Sequence, residues 1–193
     1  EGGPVPEPLG RPFGSEGGAR DVLREALLRV ADATAARLVF CELRSECLLD
    51  LYMPSPSVAD VRPALRALDV RLGALPTLLP AVSIRRLLLT RIYAACGRAY
   101  EEVLLDASSS RRWAPNDSET FRADFALLQD FFLAKNAKGE PQGVPLKTLQ
   151  AESARLSALV ALMAAPSVEL VETWQADEGQ LHSLKSYFVA RLL

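Results

Sequence analysis

The chain has 193 residues, 49% of them apolar and 24% charged, with a formal net charge of −2. That describes a packed globular chain of one ordinary domain or two small helical lobes. It also excludes a global attraction to nucleic acid or to an anionic membrane, since Arg is scattered and doubled only at Arg85-Arg86 and Arg111-Arg112. The three cysteines, Cys41, Cys47 and Cys96, are odd in number and form no C-x-x-C pair, which points to a reducing compartment rather than a disulfide framework. No apolar run approaches the roughly 20 residues that span a bilayer, and no secretory leader opens the chain. The first residue is Glu1 rather than Met, as expected of a fragment, a processed product or a partial chain.

Residues 1–18 are rich in Gly and Pro and lack periodicity, so they read as a flexible linker; Phe13 would be the anchor if the segment docked instead. From Ala19 to Met53 no Gly or Pro interrupts the chain. Leu23, Leu27, Val30, Thr34, Leu38 and Cys41 trace one helical stripe, and Phe40, Leu43 and Cys47 begin another that drifts around the axis. The spacing predicts a long helix that Pro54 and Pro56 end. Val61, Leu65, Leu68 and Leu72 predict a second helix, with Pro76 and Pro80 bracketing a break.

Ala81 to Asp106 is predicted to be the most buried helix. One stripe is Ile84, Leu88, Ile92, Ala95, Ala99 and Val103, and beside it run Leu89, Tyr93, Cys96, Tyr100 and Leu104. A polar connection, residues 107–115, leads to an aromatic helix on which Phe121, Phe125, Leu128 and Phe132 stack on one face and Phe131 widens it. Asn116, Asp117 or Ser118 supplies its cap, and Arg122, Asp124, Gln129 and Asp130 fall on sides that can meet water. Gly139, Pro141, Gly143 and Pro145 stop it. Leu149, Leu156, Val160 and Met163 mark the next helix, a short one follows from Ser167 to Trp174, and Leu181, Leu184, Phe188 and Leu192 predict a last one. No strand pattern is present, so the expected fold is all-α.

Three blocks in this order resemble a known family. Glu25 to Tyr52, EALLRVADATAARLVFCELRSECLLDLY, combines an Ala-Thr-Ala centre, Val-Phe and a closing Leu-Tyr. Leu104 to Asp117, LLDASSSRRWAPND, has a Leu-Leu, a turn of small residues, Ser-Arg and an aromatic. From Phe121 come Asp124-Phe125, Leu128, Asp130-Phe131-Phe132 and the Gly143-x-Pro145 loop. Together they resemble the last conserved segment of MUN-domain proteins, the Munc-type vesicle-priming factors, and in particular their plant branch. The resemblance covers roughly Ala19 to Trp174. It implies an elongated antiparallel helical bundle like the C-terminal part of a MUN or tethering-complex rod, with residues 19–174 as the bundle; residues 175–193 have no counterpart in it and read, from their own spacing, as a C-terminal helix. It further implies a non-enzymatic role in vesicle docking, priming and exocytosis, with SNARE or tethering proteins as partners. The corresponding location is cytoplasmic, peripheral at the plasma membrane or secretory vesicles. A helical scaffold subunit of a large stable assembly is the alternative reading.

No catalytic or ligand motif accompanies these blocks. There is no P-loop, no G-x-G-x-x-G and no H-E-x-x-H, and His182 is the sole histidine, so no cofactor, metal or small-molecule substrate is expected. The cysteines fall on apolar stripes and read as buried small hydrophobes. Two surface candidates remain. Arg111, Arg112 and Trp113 join two guanidiniums to an amphipathic ring, suited to a phospholipid headgroup or an acidic partner, unless Trp113 folds onto the core. Leu181, Leu184 and Phe188 of the last helix would fill a partner's groove or dock back on the bundle.

Overall fold

The computed structural model describes residues 16–53, 60–106, 113–114, 116–134 and 143–164. All regular structure among the described residues is helical. Of the linker expected over residues 1–18, the last three instead begin the first helix at Glu16, and the rest lies outside the described residues, as do the short helix 167–174 and the C-terminal helix 175–193.

The first helix, α1 (Glu16–Arg37), runs on through two π-helical turns at Leu38–Glu42 and Ser45–Leu49. Its buried residues are Ala31, Ala35, Val39, Leu43, Cys47 and Leu51, spaced by four throughout. On a straight α-helix that spacing would rotate by about 40° per step and leave the core within a few turns. The π turns cancel the drift: Leu43 N–H reaches back to Leu38 O at 2.8 Å and Asp50 N–H to Ser45 O at 2.8 Å, each an i→i−5 bond that under-winds the helix. The two expected stripes fare differently: Leu43 and Cys47 of the second are buried and Phe40 packs beside them, whereas of the first only Leu38 packs against the core. Leu23, Leu27 and Val30 are exposed, and so is Cys41, which corrects the reading of all three cysteines as buried. Burial pushes the Cys47 thiol up to about 12, with the nearby Glu46 charge adding to it, and burial also raises Cys96 far above its usual value. In a native Ellman titration we expect one thiol, Cys41, to react at an ordinary rate and the other two only on unfolding. Three thiols reacting at one rate would contradict this packing.

α2 (Arg62–Leu72) and the single turn α3 (Leu75–Leu78) lead into α4 (Val82–Leu105), and Pro76 falls within α3's first turn, where its missing N–H costs nothing. α4 is the axis of the fold. Leu88, Ile92, Ala95, Ala99 and Val103 on one stripe and Tyr93, Cys96, Tyr100 and Leu104 on the other are buried. Only its first turns depart from expectation, with Ile84 exposed and Leu89 half-buried.

The neighbours' directions follow from cross-contacts. Asp32 pairs with Arg91 at 3.4 Å while Tyr52 meets Tyr100, so α1 and its π turns run parallel to α4. Trp113 Nε1–H reaches Leu104 O at 3.1 Å while Phe132 packs on Tyr93, so α5 (Asp117–Leu133) runs antiparallel. α6 (Leu146–Glu152) and α7 (Ala154–Ala164) return parallel to α4, placing Glu152 near Arg91 and Arg155 at 3.1 Å from Glu101. The helix expected to run unbroken from Val144 to Met163 is thus two. Ser153 parts them, its Oγ–H donating to Leu149 O at 2.7 Å and competing for the backbone acceptor of the turn behind it.

α5 places Phe121, Phe125, Leu128 and Phe132 in the core, with Phe131 half-buried beside them. Its start differs from expectation. No side chain caps the first amides; the Asp117 carboxylate instead accepts from Ala114 N–H at 2.7 Å and closes the preceding turn. Its end is sealed by backbone. Ala134 takes the left-handed conformation (φ 43°), and the chain then returns so that Gly143 N–H donates to Leu133 O at 3.0 Å and Val144 N–H to Phe132 O at 2.9 Å. Two carbonyls that a helix end normally leaves unpaired are thereby satisfied. A Cβ on Gly143 would sit 2.1 Å from Phe132 O, so glycine is required there by contact with backbone.

Candidate interaction surface

Around Tyr52 and beside Trp113 lies a buried polar knot tying three elements. Tyr52, the residue just past the second π turn, adopts a left-handed backbone (φ 60°) that aims its ring inward. Its ring meets those of Tyr100, Trp113 and Phe121 edge-on, at centroid distances of 5.6, 6.0 and 4.8 Å. Its hydroxyl donates to Asp124 Oδ2 at 3.0 Å, so the buried Tyr100 hydroxyl, in contact with it, donates to the Tyr52 oxygen. Asp124 is only 4% exposed, which corrects its assignment to a wet side of α5. α2 and the residue before it cover this carboxylate: Val61 is buried here, its N–H bonding the Asp124 carboxylate, and the charges of Asp60 and Arg62 lie nearby.

Burial pushes the Asp124 carboxyl up to about 6, and the charge of Asp60 pushes the same way; the Val61 N–H and the Arg62 charge oppose them without prevailing. The fold therefore binds a proton at this carboxyl more tightly than the unfolded chain does. Its contribution is most favourable at acid pH and is lost as pH rises from about 4 through about 6, a change on the order of 2–3 kcal/mol. For Asp124→Asn we expect the difference in stability from wild type to shift in the variant's favour by about that amount between pH 4 and pH 7. Denaturant melts at both pH values check it; a pH-independent difference would show that the carboxyl titrates normally.

The expected site residues divide. Trp113 is partly buried, its ring edge-on to Phe121 at 5.2 Å and its N–H bonded to Leu104 O, so the loop is anchored to the core at this point. Arg111, Arg112, Leu181, Leu184 and Phe188 lie outside the described residues. Sequence reasoning did not find the Tyr52–Tyr100–Asp124 knot. The signal available for Asp124 was its spacing, three residues after Phe121 and four before Leu128, which puts it on the aromatic face.

Two grooves flank α4 and α5. One, about 570 Å³, is lined by Arg98, Glu101, Glu102, Leu105, Asp106 and Arg155. The other, about 380 Å³ between α5 and α6–α7, presents Arg122, Gln129, Gln150 and Ser153 over Phe125 and Val160. Both are open and mixed in polarity, as suits contact with another polypeptide more than capture of a small molecule. Among the described residues no cluster of three His, Cys, Asp or Glu side chains is placed to hold a metal ion, and no helix is long and apolar enough to cross a membrane.

Comparison with known proteins adds a family to this geometry. Residues 15–188 match the family described as PATROL1-like, TPR repeats. A protein from Arabidopsis thaliana described as "Protein unc-13 homolog" is 29% identical over 155 residues, covering 80% of this chain. The chain spans 14% of that relative's length. No solved structure matches.

Proposed function

Since the chain belongs to the PATROL1-like, TPR-repeat family, we propose that it is a non-enzymatic, protein-interaction segment of a MUN-related factor working in vesicle docking and priming. The family match along nearly the whole chain carries this reading. The similarity to the Arabidopsis unc-13 homolog supports this reading of a role in membrane traffic, within the plant-type branch of the MUN-related proteins. SNARE-type or tethering-type proteins are the proposed partners, met in the cytoplasm at the plasma membrane or at secretory vesicles. The open, mixed grooves beside α4 and α5 support contact with polypeptide, and the loop carrying Arg111 and Arg112 next to the anchored Trp113 is the proposed point of contact with an acidic partner or headgroup.

The test is affinity capture from extract of the source cells with residues 1–193 as bait and Arg111→Glu/Arg112→Glu as the paired bait. SNAREs or tethers enriched by the first and depleted at least several-fold by the second are expected. A stoichiometric set of proteins unrelated to traffic, held equally by both baits, would replace this reading with that of a scaffold subunit.

A further inference from the structure

The overall charge of −2 conceals a local excess of the opposite sign. Between Asp60 and Thr90 stand five arginines and two aspartates, a net +3, which leaves −5 on the rest of the chain. Asp60 is occupied with Arg62 at 2.7 Å, whereas Arg66, Arg71 and Arg86 are exposed and pair with no carboxylate among the described residues. The same stretch holds apolar side chains out in water. Val70, Leu78, Val82 and Ile84 are 79%, 70%, 54% and 37% exposed, all within the 15 residues that turn the chain from α2 through α3 into α4. Leu75 and Leu79 pack against the core, and Arg85 Nη1–H donates to Leu79 O at 3.2 Å, so the turn is fastened with Leu78 on its outer side. Exposures near three-quarters belong to side chains standing out from a convex corner rather than lining a groove.

We propose that this α2–α3–α4 corner is a contact site for an anionic lipid bilayer, with Leu78 and Val82 entering the interface and Arg71 and Arg86 meeting the headgroups. Charge complementarity selects the occupant: the corner is cationic, and the net negative charge of the remaining chain turns it toward an anionic leaflet and the rest away. The interleaving of charge and apolar side chains favours lipid over protein. Arg71 directly follows Val70, and Arg86 stands one helical turn from Val82, whereas the centre of a protein interface is depleted of charge. Arginine suits the headgroup level, because its stem covers apolar surface while the guanidinium stays among phosphates and water. Each arginine close to an anionic leaflet raises partition about fivefold, so Arg66, Arg71 and Arg86 together supply about a hundredfold, and insertion of Leu78 adds about tenfold. Contact of this size is peripheral and reversible. The corner sits at the start of α4, and Trp113 is bonded to Leu104 at its other end, roughly 36 Å away along the helix. The inference is therefore separate from the contact proposed for the Arg111–Arg112 loop and does not depend on the trafficking role.

The test is cosedimentation of the 193-residue chain with vesicles of phosphatidylcholine and phosphatidylserine, against vesicles of phosphatidylcholine alone. The wild type should pellet with the first and not the second, and its partition should fall as salt rises. Arg71→Glu/Arg86→Glu and Leu78→Asp/Val82→Asp should each lower that partition at least about tenfold, and Arg111→Glu/Arg112→Glu should leave it unchanged. All four corner positions are exposed, and far-ultraviolet circular dichroism checks that each variant is folded. A second readout reports insertion itself. In a Cys41→Ser background, a polarity-sensitive dye on Leu78→Cys should shift to the blue on the anionic vesicles. The same dye on Leu49→Cys should not, since that position is 53% exposed beside Glu102 and Asp106 at the far end of α4. Failure of the wild type to pellet would overturn the proposal in favour of an acidic polypeptide as the occupant. Pelleting that the corner variants leave unchanged, or that only Arg111→Glu/Arg112→Glu removes, would overturn the assignment to this corner.

Discussion

Gly143→Ala should destabilise the fold by about 3–5 kcal/mol, enough to lower the melting temperature by roughly 10 °C or more. The added methyl would stand 2.1 Å from Phe132 O and 3.0 Å from Leu133 O, which are backbone atoms of the last turn of α5 and cannot swing aside. The loop must back away, and in doing so it breaks the bonds from Gly143 N–H to Leu133 O and from Val144 N–H to Phe132 O. Each buried backbone group left unpaired costs about 1–3 kcal/mol. Val144, fully buried, is withdrawn from the core by the same movement. The same change at Gly97 has the opposite sign. There a Cβ meets nothing within 4 Å in the middle of α4, so Gly97→Ala should gain about 0.5–1 kcal/mol through helix propensity. Thermal melts of the two variants side by side separate a requirement for glycine from mere tolerance of it. Equal melting temperatures would contradict the loop docking.

Phe121→Ala is expected to cost about 3–5 kcal/mol. The ring is fully buried and lies between Tyr52 at 4.8 Å and Trp113 at 5.2 Å, so its loss opens a cavity that three different elements line. Because Trp113 loses its edge-on partner, near-ultraviolet circular dichroism should weaken while the far-ultraviolet signal of the helices persists. By contrast, Phe131→Ala removes a half-buried ring and should cost less than half as much. Similar costs for the two would mean that the knot around Tyr52 is not packed as described.

The aromatic face of α5 and the double stripe of α4 were legible because both combine large apolar residues with helical spacing, and such a face has one low-energy fate. The Gly143-x-Pro145 loop was legible as a helix stop, but not as the backbone clamp on the helix it follows, since that depends on the return path of the intervening residues. α1 misled for a physical reason. Periodicity reveals that a face is apolar but not which of two apolar faces packs, and the weaker-looking one, built on Ala31, Ala35 and Val39, allows the closer approach to α4. The π turns that keep the spacing-by-four stripe on one side leave no residue signature of their own. Asp124 misled because its residue type was read as solvated, although it stands three residues after Phe121 and four before Leu128, within the apolar arc of α5. Only the assembled fold brings Tyr52, 72 residues earlier, to meet it. Of the residues singled out for interaction, Trp113 packs on the core, which local spacing does not reveal, and Arg111, Arg112, Leu181, Leu184 and Phe188 lie outside the described residues.

The proposed role is tested most directly in cells lacking this protein, by measuring delivery of a plasma-membrane reporter. Re-expression of the wild-type protein should restore delivery, and re-expression of Gly143→Ala at matched abundance should not. Delivery that is normal in the absence of the protein, or restored equally by both forms, would contradict a role for this folded bundle in vesicle docking.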